Sequence, residues 1–346
     1  MKYIDLRSDT VTKPTDEMIQ AIVNAHEQDR FGDDVIGEDE VVNELQEKAA
    51  RILGKEAALL VTSGTQGNVI ALLAQAKRGD EIIVEEKSHT FMFEGGAMSV
   101  LGGLYPKPVA GVDGYILPQT LRDAIRPDDA HYPKSGMIVI ENTHNYAGGT
   151  VTTAQQVKEL AQVAREYDLR IHCDGARLFN AAVALGTPAK ELVADVDSVQ
   201  ICLSKGLSAP VGSIVAGTEE FIHEAHRLRK KLGGGMRQAG IIAAPGIIAL
   251  EKMVERLRED HANAKLLYDR LSKIPEITVN KPQTNILFIG LENLGIDTLG
   301  LSQELRKKGI LVYGGYGTRT RFVLHRMISR EDTIRTADAV TEILTR

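Results

Sequence analysis

The strongest constraint on the fold is a regular alternation of short apolar runs with longer helical patterns between about residues 55 and 217. Six apolar runs have the length of strands, at 57–61, 81–84, 137–140, 170–173, 198–203 and 213–216. Between them lie segments such as 153–167, whose apolar residues recur at helical spacing. Because parallel strands need such crossover helices, the pattern predicts an α/β fold with a mostly parallel sheet flanked by helices.

Beyond residue 217 the pattern changes to successive helices, at 218–232, at 239–257 and onward through 271. Strand-like runs return at 285–289, 310–312 and 322–324, and they alternate with helical patterns at 298–308 and 329–344. Ser329 is a suitable N-cap for the last helix. We therefore expect a large domain with its N-terminal segment at 1–250 and a small C-terminal α+β domain at 251–346.

Charge and cysteine usage exclude several classes of partner. The formal net charge of −6 leaves no basic field to hold nucleic acid or an anionic membrane. Cys173 and Cys202 lie in apolar runs without a second sulfur at metal-ligand spacing, which favours buried reduced thiols and predicts no metal site. The opening residues lack a signal-peptide pattern, and no apolar run approaches the about 20 residues of a membrane span. We expect a cytoplasmic protein.

A glycine-containing turn, Ser63-Gly64-Thr65-Gln66-Gly67-Asn68, follows the first predicted strand and begins a helical pattern. The free N–H groups and the positive end of the helix dipole at such a turn can bind an anion. The turn lacks the G-x-G-x-x-G of dinucleotide folds and the G-K-[ST] of P-loops, so the phosphate of a smaller cofactor fits it better. By itself, such a turn more often reflects ordinary strand-to-helix geometry.

Two more polar residues follow predicted strands. Asp174 lies where open α/β sheets place their ligands, and it could pair with a protonated pyridine nitrogen or simply cap the following helix. Lys205 lies among small residues, where a partly desolvated amine can attack a carbonyl, although a lone lysine is usually a surface-loop residue. The glycine-containing turn, Asp174 and Lys205 come in this order, each at the end of a predicted strand. Together they favour a cofactor site over the simpler explanation of each one.

When further motifs are considered together with the turn, Asp174 and Lys205, the chain resembles the threonine aldolase family. This family has the aspartate aminotransferase-like fold (fold type I of the pyridoxal phosphate enzymes). The resemblance covers nearly the whole length. It rests on Asp5-Leu6-Arg7-Ser8-Asp9-Thr10-Val11-Thr12, Gly32-Asp33-Asp34-Val35 with Gly37-Glu38-Asp39, Ser63-Gly64-Thr65, Glu141-Asn142-Thr143-His144-Asn145, His172-Cys173-Asp174-Gly175-Ala176-Arg177, Leu203-Ser204-Lys205-Gly206 and Gly233-Gly234-Gly235-Met236-Arg237-Gln238. Other fold type I enzymes share the turn, the Asp and the Lys, but not the opening or the triple glycine.

The resemblance implies pyridoxal 5'-phosphate (PLP) bound as a Schiff base to Lys205. Asp174 would contact the ring nitrogen, Arg177 would lie near the cofactor, and His89 would stack on the ring. The phosphate would contact three residues, Gly64, Thr65 and Ser204. Without the resemblance, a capping or surface histidine at a strand end is the favoured interpretation of His89.

Substrate contacts are also implied by matching positions. Arg321 matches the family's carboxylate-binding arginine; Arg319 competes for that role, but Arg321 begins the apolar run and lies eight residues before the helix start at Ser329. Ser8 and Arg177 match positions near the substrate carboxylate.

Three further matches concern the substrate pocket. Phe93 and His131 would line it, and Lys230 would reach a neighbouring subunit's site, although an exposed helix lysine explains Lys230 equally well. The loop Tyr146-Ala147-Gly148-Gly149 departs from the family pattern and bears on substrate preference.

The resemblance implies retro-aldol cleavage of L-threonine, L-allo-threonine and other β-hydroxy-α-amino acids to glycine and an aldehyde. His89, His131 or a water between them would remove the hydroxyl proton. A β-eliminating lyase or an aminotransferase would need the same Lys205 and Asp174, and a non-enzymatic binding protein is opposed by the complete set of cofactor residues. The family also implies a homotetramer with active sites at subunit interfaces.

Overall fold

The computed structural model describes residues 3–292, 294–314 and 317–345. Its strands are β1 (Ile4–Asp5), β2 (Ala57–Val61), β3 (Glu81–Glu85), β4 (Tyr105–Val109), β5 (Ser135–Glu141), β6 (Arg170–Gly175), β7 (Ser198–Cys202), β8 (Ser213–Gly217), β9 (Thr278–Val279), β10 (Ile286–Gly290), β11 (Ile310–Leu311) and β12 (Arg319–Val323). Its helices are α1 (Asp16–Glu27), α2 (Glu40–Leu53), α3 (Gly64–Gln75), α4 (His89–Met92), α5 (Ala97–Val100), α6 (Pro118–Ala124), α7 (Ala154–Glu166), α8 (Leu178–Leu185), α9 (Ala189–Leu192), α10 (Glu219–Lys231), α11 (Gly240–Lys252), α12 (Leu257–Leu271), α13 (Thr298–Lys307) and α14 (Arg330–Leu344).

The central sheet has seven strands in the order β2-β8-β7-β6-β5-β3-β4. Only β8 runs against the others, because it pairs antiparallel with both β2 and β7 while the remaining pairs are parallel. The predicted α/β class with a mostly parallel sheet is confirmed. The sequence reading missed the edge strand β4, where Pro106 and Pro108 are tolerated because an edge strand has unpaired positions.

Both faces of the central sheet are buried under helices. Neighbouring residues of one strand point to opposite faces, so that Ile83 packs in one apolar cluster while Ile82 and Val84 pack in another. Burial on both faces explains why these strands appear in the sequence as continuous apolar runs rather than as alternating patterns.

A second, smaller apolar cluster surrounds the antiparallel sheet β9-β10-β12 and the helices α12, α13 and α14. Ile4 and Leu6 belong to this cluster, because β1 pairs in parallel with β11, although the sequence reading grouped them with residues up to 250. The boundary near residue 250 stays a prediction. Ser329 caps α14 as predicted, by accepting a hydrogen bond from the Asp332 N–H at 3.0 Å. Within the described ranges, no helix combines the length and apolarity that crossing a membrane requires.

Candidate active site

The carboxyl ends of the parallel strands gather the predicted polar residues at one edge of the central sheet. Gly64 follows β2, His89 follows β3, Asp174 lies near the end of β6 and Lys205 follows β7. These strands point the same way, so residues far apart in the sequence come together where they end.

A cavity with about 700 Å³ of empty space, part of it open to solvent, lies at this edge. Six residues predicted for the site line it: Ser8, His89, Phe93, Arg177, Lys205 and Arg321. Four more complete the lining, namely Thr10, Asn145, Tyr146 and Phe288. The cavity therefore joins the central sheet, the N-terminal segment and the small C-terminal sheet in one site.

Asp174 is buried and held by donors on two sides. Asn68 Nδ2 donates to one carboxylate oxygen at 2.9 Å, and the N–H of Ala176 donates to the other at 3.1 Å. The following helix, α8, starts only at Leu178, and its N-cap position is Arg177. The simpler alternative, that Asp174 caps this helix, is therefore wrong, and one of its carboxylate oxygens lies within 4.8 Å of ligand atoms of His89 and Glu94 instead.

His89 begins the short helix α4, and its Nδ1 lies 3.1 Å from Oε1 of the buried Glu94. Burial lowers the pKa of His89, but the hydrogen bond to Glu94 and the charge of Asp174 outweigh it, so the pKa is raised above its usual value. Burial and the nearby Asp174 charge also raise the pKa of Glu94.

His89, Glu94 and Asp174 are also close enough together to act as metal ligands. One ligand atom from each of His89, Glu94 and Asp174 lies within 4.8 Å of the others. Asn68 already donates to both carboxylates, at 2.8 and 2.9 Å, so a hydrogen-bonded network explains their spacing without an ion.

Arg177 is held by a buried ion pair with Asp9. Its Nε and Nη2 donate to the two oxygens of Asp9 at 2.8 and 2.7 Å, a bidentate geometry. Although burial opposes ionisation of Asp9, the Arg177 charge holds the pKa of Asp9 well below its usual range. The pair ties the N-terminal segment to the end of β6.

Arg321 approaches the cavity from β12 and is oriented by Asn145. Its Nη1 donates to Asn145 Oδ1 at 2.8 Å, and its Nη2 donates to the carbonyl of Arg7 at 3.2 Å. Asn145 is in turn fixed by its N–H, which donates to Glu141 at 2.8 Å. The guanidinium of Arg321 therefore has a defined position beside Ser8 in the cavity wall.

The predicted anion-binding turn forms the start of α3. Ser63 caps this helix by accepting from the Gln66 N–H at 3.2 Å, and the N–H groups of Gly64 and Thr65 belong to the first turn, which has no intrahelical acceptors. A Cβ at position 64 would lie 2.9 Å from Cys202 Sγ, so only glycine fits against β7.

Comparison with known proteins identifies the family. The family description "Beta-eliminating lyase" matches residues 5–293. The chain is 43% identical to the low specificity L-threonine aldolase of Escherichia coli K12, over 95% of both chains. It is 41% identical to low-specificity L-threonine aldolase 1 of Arabidopsis thaliana, over 96% of this chain and 94% of that one.

The chain belongs to the threonine aldolase family. Its fold is that of solved members: the TM-score is 0.85 with a threonine aldolase of Leishmania major, at 17% identity and with 98% of this chain and 99% of that chain covered. With a putative L-allo-threonine aldolase of Listeria monocytogenes the TM-score is 0.79 at 22% identity, covering 99% and 96% of the two chains.

Two residues matched from the threonine aldolase family lie outside the cavity of the single chain. His131 precedes β5, so it lies toward the opposite edge of the sheet, and its side chain is 89% exposed beside Asp129. Lys230 is exposed near the end of α10, next to Gly235. One chain therefore does not bring His131 into its own pocket, and the contribution of Lys230 to a neighbouring subunit's site stays a prediction.

Sequence reasoning missed the residues that support the site. Asn68, Glu94 and Asp9 hold predicted site residues. Asn68 lies in the quoted glycine-containing turn and Asp9 in the quoted opening motif, but neither had an assigned role, and Glu94 lies outside the quoted motifs. Asn145 was part of a matched motif without an assigned role. Its position four residues after the end of β5 was the one signal that could have identified it.

Proposed function

We propose that this chain cleaves L-threonine, L-allo-threonine and other β-hydroxy-α-amino acids to glycine and an aldehyde, with PLP bound to Lys205. The observation that carries the proposal is that the Lys205 amine and the Arg321 guanidinium line one cavity together with His89. This reaction needs an amine for the cofactor, a cation for the α-carboxylate and a base for the hydroxyl.

The residues fit PLP. Lys205 supplies the amine for the cofactor aldehyde, and Asp174 supplies a buried carboxylate for the ring nitrogen. The start of α3 offers N–H groups of Gly64 and Thr65 to a phosphate, and Ser204 follows β7, whose last residue, Cys202, lies against Gly64. His89, with its ring beside the cavity, would cover one face of the cofactor ring. When bound, PLP withdraws electrons from Cα of the substrate so that a bond at Cα can break.

The chain's own residues then orient the substrate and move the proton. Arg321 and Ser8 bind the α-carboxylate, which fixes the direction of the Cα–Cβ bond in the cavity. Because Nδ1 of His89 is bonded to Glu94, its Nε2 is the atom available to accept the β-hydroxyl proton, directly or through a water. Phe93 bounds the space for the substituent on Cβ.

We also propose that the chain acts as a cytoplasmic homotetramer with its sites at subunit interfaces. Large apolar side chains are exposed in the single chain, including Val100 of α5 at 78% and Ile36 at 69%. A second copy would cover such surface and could bring His131 or Lys230 to the cavity. The free, buried Cys173 and Cys202 are consistent with a reducing compartment.

The test measures the products formed from threonine and allo-threonine by the PLP-loaded protein. Acetaldehyde and glycine in equal amounts support the aldolase, 2-oxobutanoate with ammonia would indicate an eliminating lyase, and dependence on a 2-oxo acid an aminotransferase. Borohydride treatment followed by peptide mapping should locate the reduced cofactor on Lys205.

Two variants make this test specific. Lys205→Ala should bind PLP without a borohydride-stable bond and should release no glycine. Lys158→Ala, an exposed lysine on α7, is the matched control and should behave as wild type. Borohydride labelling of another lysine, or turnover by Lys205→Ala, would refute the assignment.

A further inference from the structure

Arg319 lies beside the site but has no part in the proposed chemistry. It is half-buried on β12, two residues before Arg321, so both side chains project from the same face of the small sheet. Its guanidinium carbon lies 5.3 Å from the ring centre of Tyr146 and 4.7 Å from that of Phe288. In the described parts of the chain, no carboxylate forms an ion pair with Arg319; the nearby Glu292 instead accepts from Thr318 at 3.1 Å.

The two rings that hold this guanidinium are part of the cavity wall. Tyr146 and Phe288 line the same cavity as Lys205 and Arg321. A row of rings connects them to the base: His89 lies 5.9 Å from Phe93, which lies 6.4 Å from Tyr146, measured between ring centres. Tyr146 is therefore both the last ring of this row and one of the two rings that contact Arg319.

Contacts with two aromatic rings suit an arginine that binds an anion. The rings shield the guanidinium from water, while its N–H groups, which lie in the plane, stay available for a bidentate carboxylate. The strand spacing puts the Cα atoms of Arg319 and Arg321 about 7 Å apart. Two carboxylates joined by a short aliphatic chain can span that distance.

We propose that Arg319 forms a second anion subsite, so that this chain cleaves β-hydroxy-α-amino acids whose β-substituent is a short chain ending in a carboxylate. The inference rests on the proposed aldolase function and names a substrate class for it. The methyl group of threonine is too short to reach Arg319, so threonine cleavage does not depend on this residue.

The reaction has the same stoichiometry of bonds and protons as threonine cleavage. With 2-amino-3-hydroxyadipate, the Cα–Cβ bond breaks, the β-hydroxyl loses its proton, and Cβ becomes the aldehyde carbon of 4-oxobutanoate. One proton adds to Cα, which leaves as glycine. Neither an oxidant nor a reductant is needed.

The test compares 2-amino-3-hydroxyadipate with its 6-carboxamide, which has the same size but no distal charge. Wild type should favour the carboxylate by about tenfold in kcat/KM, and added salt should reduce this preference. Arg319→Gln should bring the ratio near one, and Arg319→Lys should keep part of it. Threonine cleavage should stay within about twofold in both variants.

A binding measurement independent of turnover supplements the rates. Calorimetry with 2-aminoadipate, which lacks the hydroxyl and cannot be cleaved, should show the same preference over its 6-carboxamide and the same loss in Arg319→Gln. Arg306→Gln, which removes an exposed positive charge from α13, is the matched control and should leave both ratios unchanged.

The outcomes separate the two proposals. If threonine is cleaved but wild type shows no preference for the distal carboxylate, or if Arg319→Gln keeps that preference, the anion subsite is refuted. If no glycine forms even from threonine, the aldolase function itself has failed, and the subsite is refuted with it.

Discussion

Asn68 joins three buried groups beneath the cavity, and replacing it should destabilise the protein strongly. Its Nδ2 donates to Glu94 at 2.8 Å and to Asp174 at 2.9 Å, while its Oδ1 lies 3.0 Å from His172 Nε2. Since both carboxylates need a donor, the amide oxygen must face His172, and Nε2 of His172 carries the proton. Burial lowers the pKa of His172 to about 4, so the ring is neutral in this network.

The size of the effect follows from these contacts. Asn68→Leu keeps the approximate volume but removes one partner from each of the three groups. An unsatisfied buried polar group costs about 1–3 kcal/mol, and Glu94 keeps His89 as a partner, so the lost contacts to Asp174 and His172 should lower the free energy of unfolding by about 2–6 kcal/mol. Ser198 Oγ lies 2.8 Å from His172 Nδ1 and so extends the network. The control is Gln75→Leu at its far end, where Gln75 Nε2 donates to Ser198 at 2.6 Å. It should cost only about 1 kcal/mol.

Urea unfolding of the cofactor-free proteins at one fixed protein concentration measures this difference. Far-ultraviolet circular dichroism follows the helices, and the midpoint and slope give the free energy of unfolding. If Asn68→Leu is no less stable than Gln75→Leu, the network does not contribute as described and the reasoning is refuted.

Three further changes have defined outcomes. Because Glu94 raises the pKa of His89 against the effect of burial, the acid limb of kcat/KM should lie above the ordinary histidine value of about 6.5, and Glu94→Gln should move it to lower pH in a pH–rate profile. Arg321→Lys loses the bidentate fork, so kcat/KM for threonine should fall about 30-fold, mainly through KM, in steady-state assays. Burial lowers the pKa of both His172 and His261 to about 4, so the stability gained from keeping them neutral is complete above about pH 6.5 and is lost as the pH falls toward 4. The urea midpoint should be higher at pH 7.5 than at pH 5, and His261→Gln should reduce that difference. If the midpoint changes equally with pH in variant and wild type, the assignment is contradicted.

The predicted strands explain why much of the site could be located from the sequence. Asp174 and Lys205 each follow an apolar run, and a mostly parallel sheet brings the carboxyl ends of its strands to one edge. The family's motifs added His89 and Arg321, and both line the cavity with Lys205. Local patterns sufficed here because each residue is placed by the strand next to it.

The same argument shows why the single chain does not place His131 in its own cavity. It precedes β5, and the strand length separates it from the edge where Lys205 lies. The match to the family's motif predicts a pocket position for His131, but it contains no information on which end of β5 the residue precedes or follows.

The sequence by itself determined the parallel α/β fold, the order of the anion-binding turn, Asp174 and Lys205, and the edge of the sheet at which they meet. Only the tertiary structure decided what holds them. Asp9 pairs with Arg177 across 168 positions, Asn68 with Asp174 across 106, and Tyr146 and Phe288 hold Arg319 from two separate segments. Such contacts leave no periodic signal in either segment, because the partner is fixed by packing and by the need to satisfy buried charge, and neither is a local property of the chain.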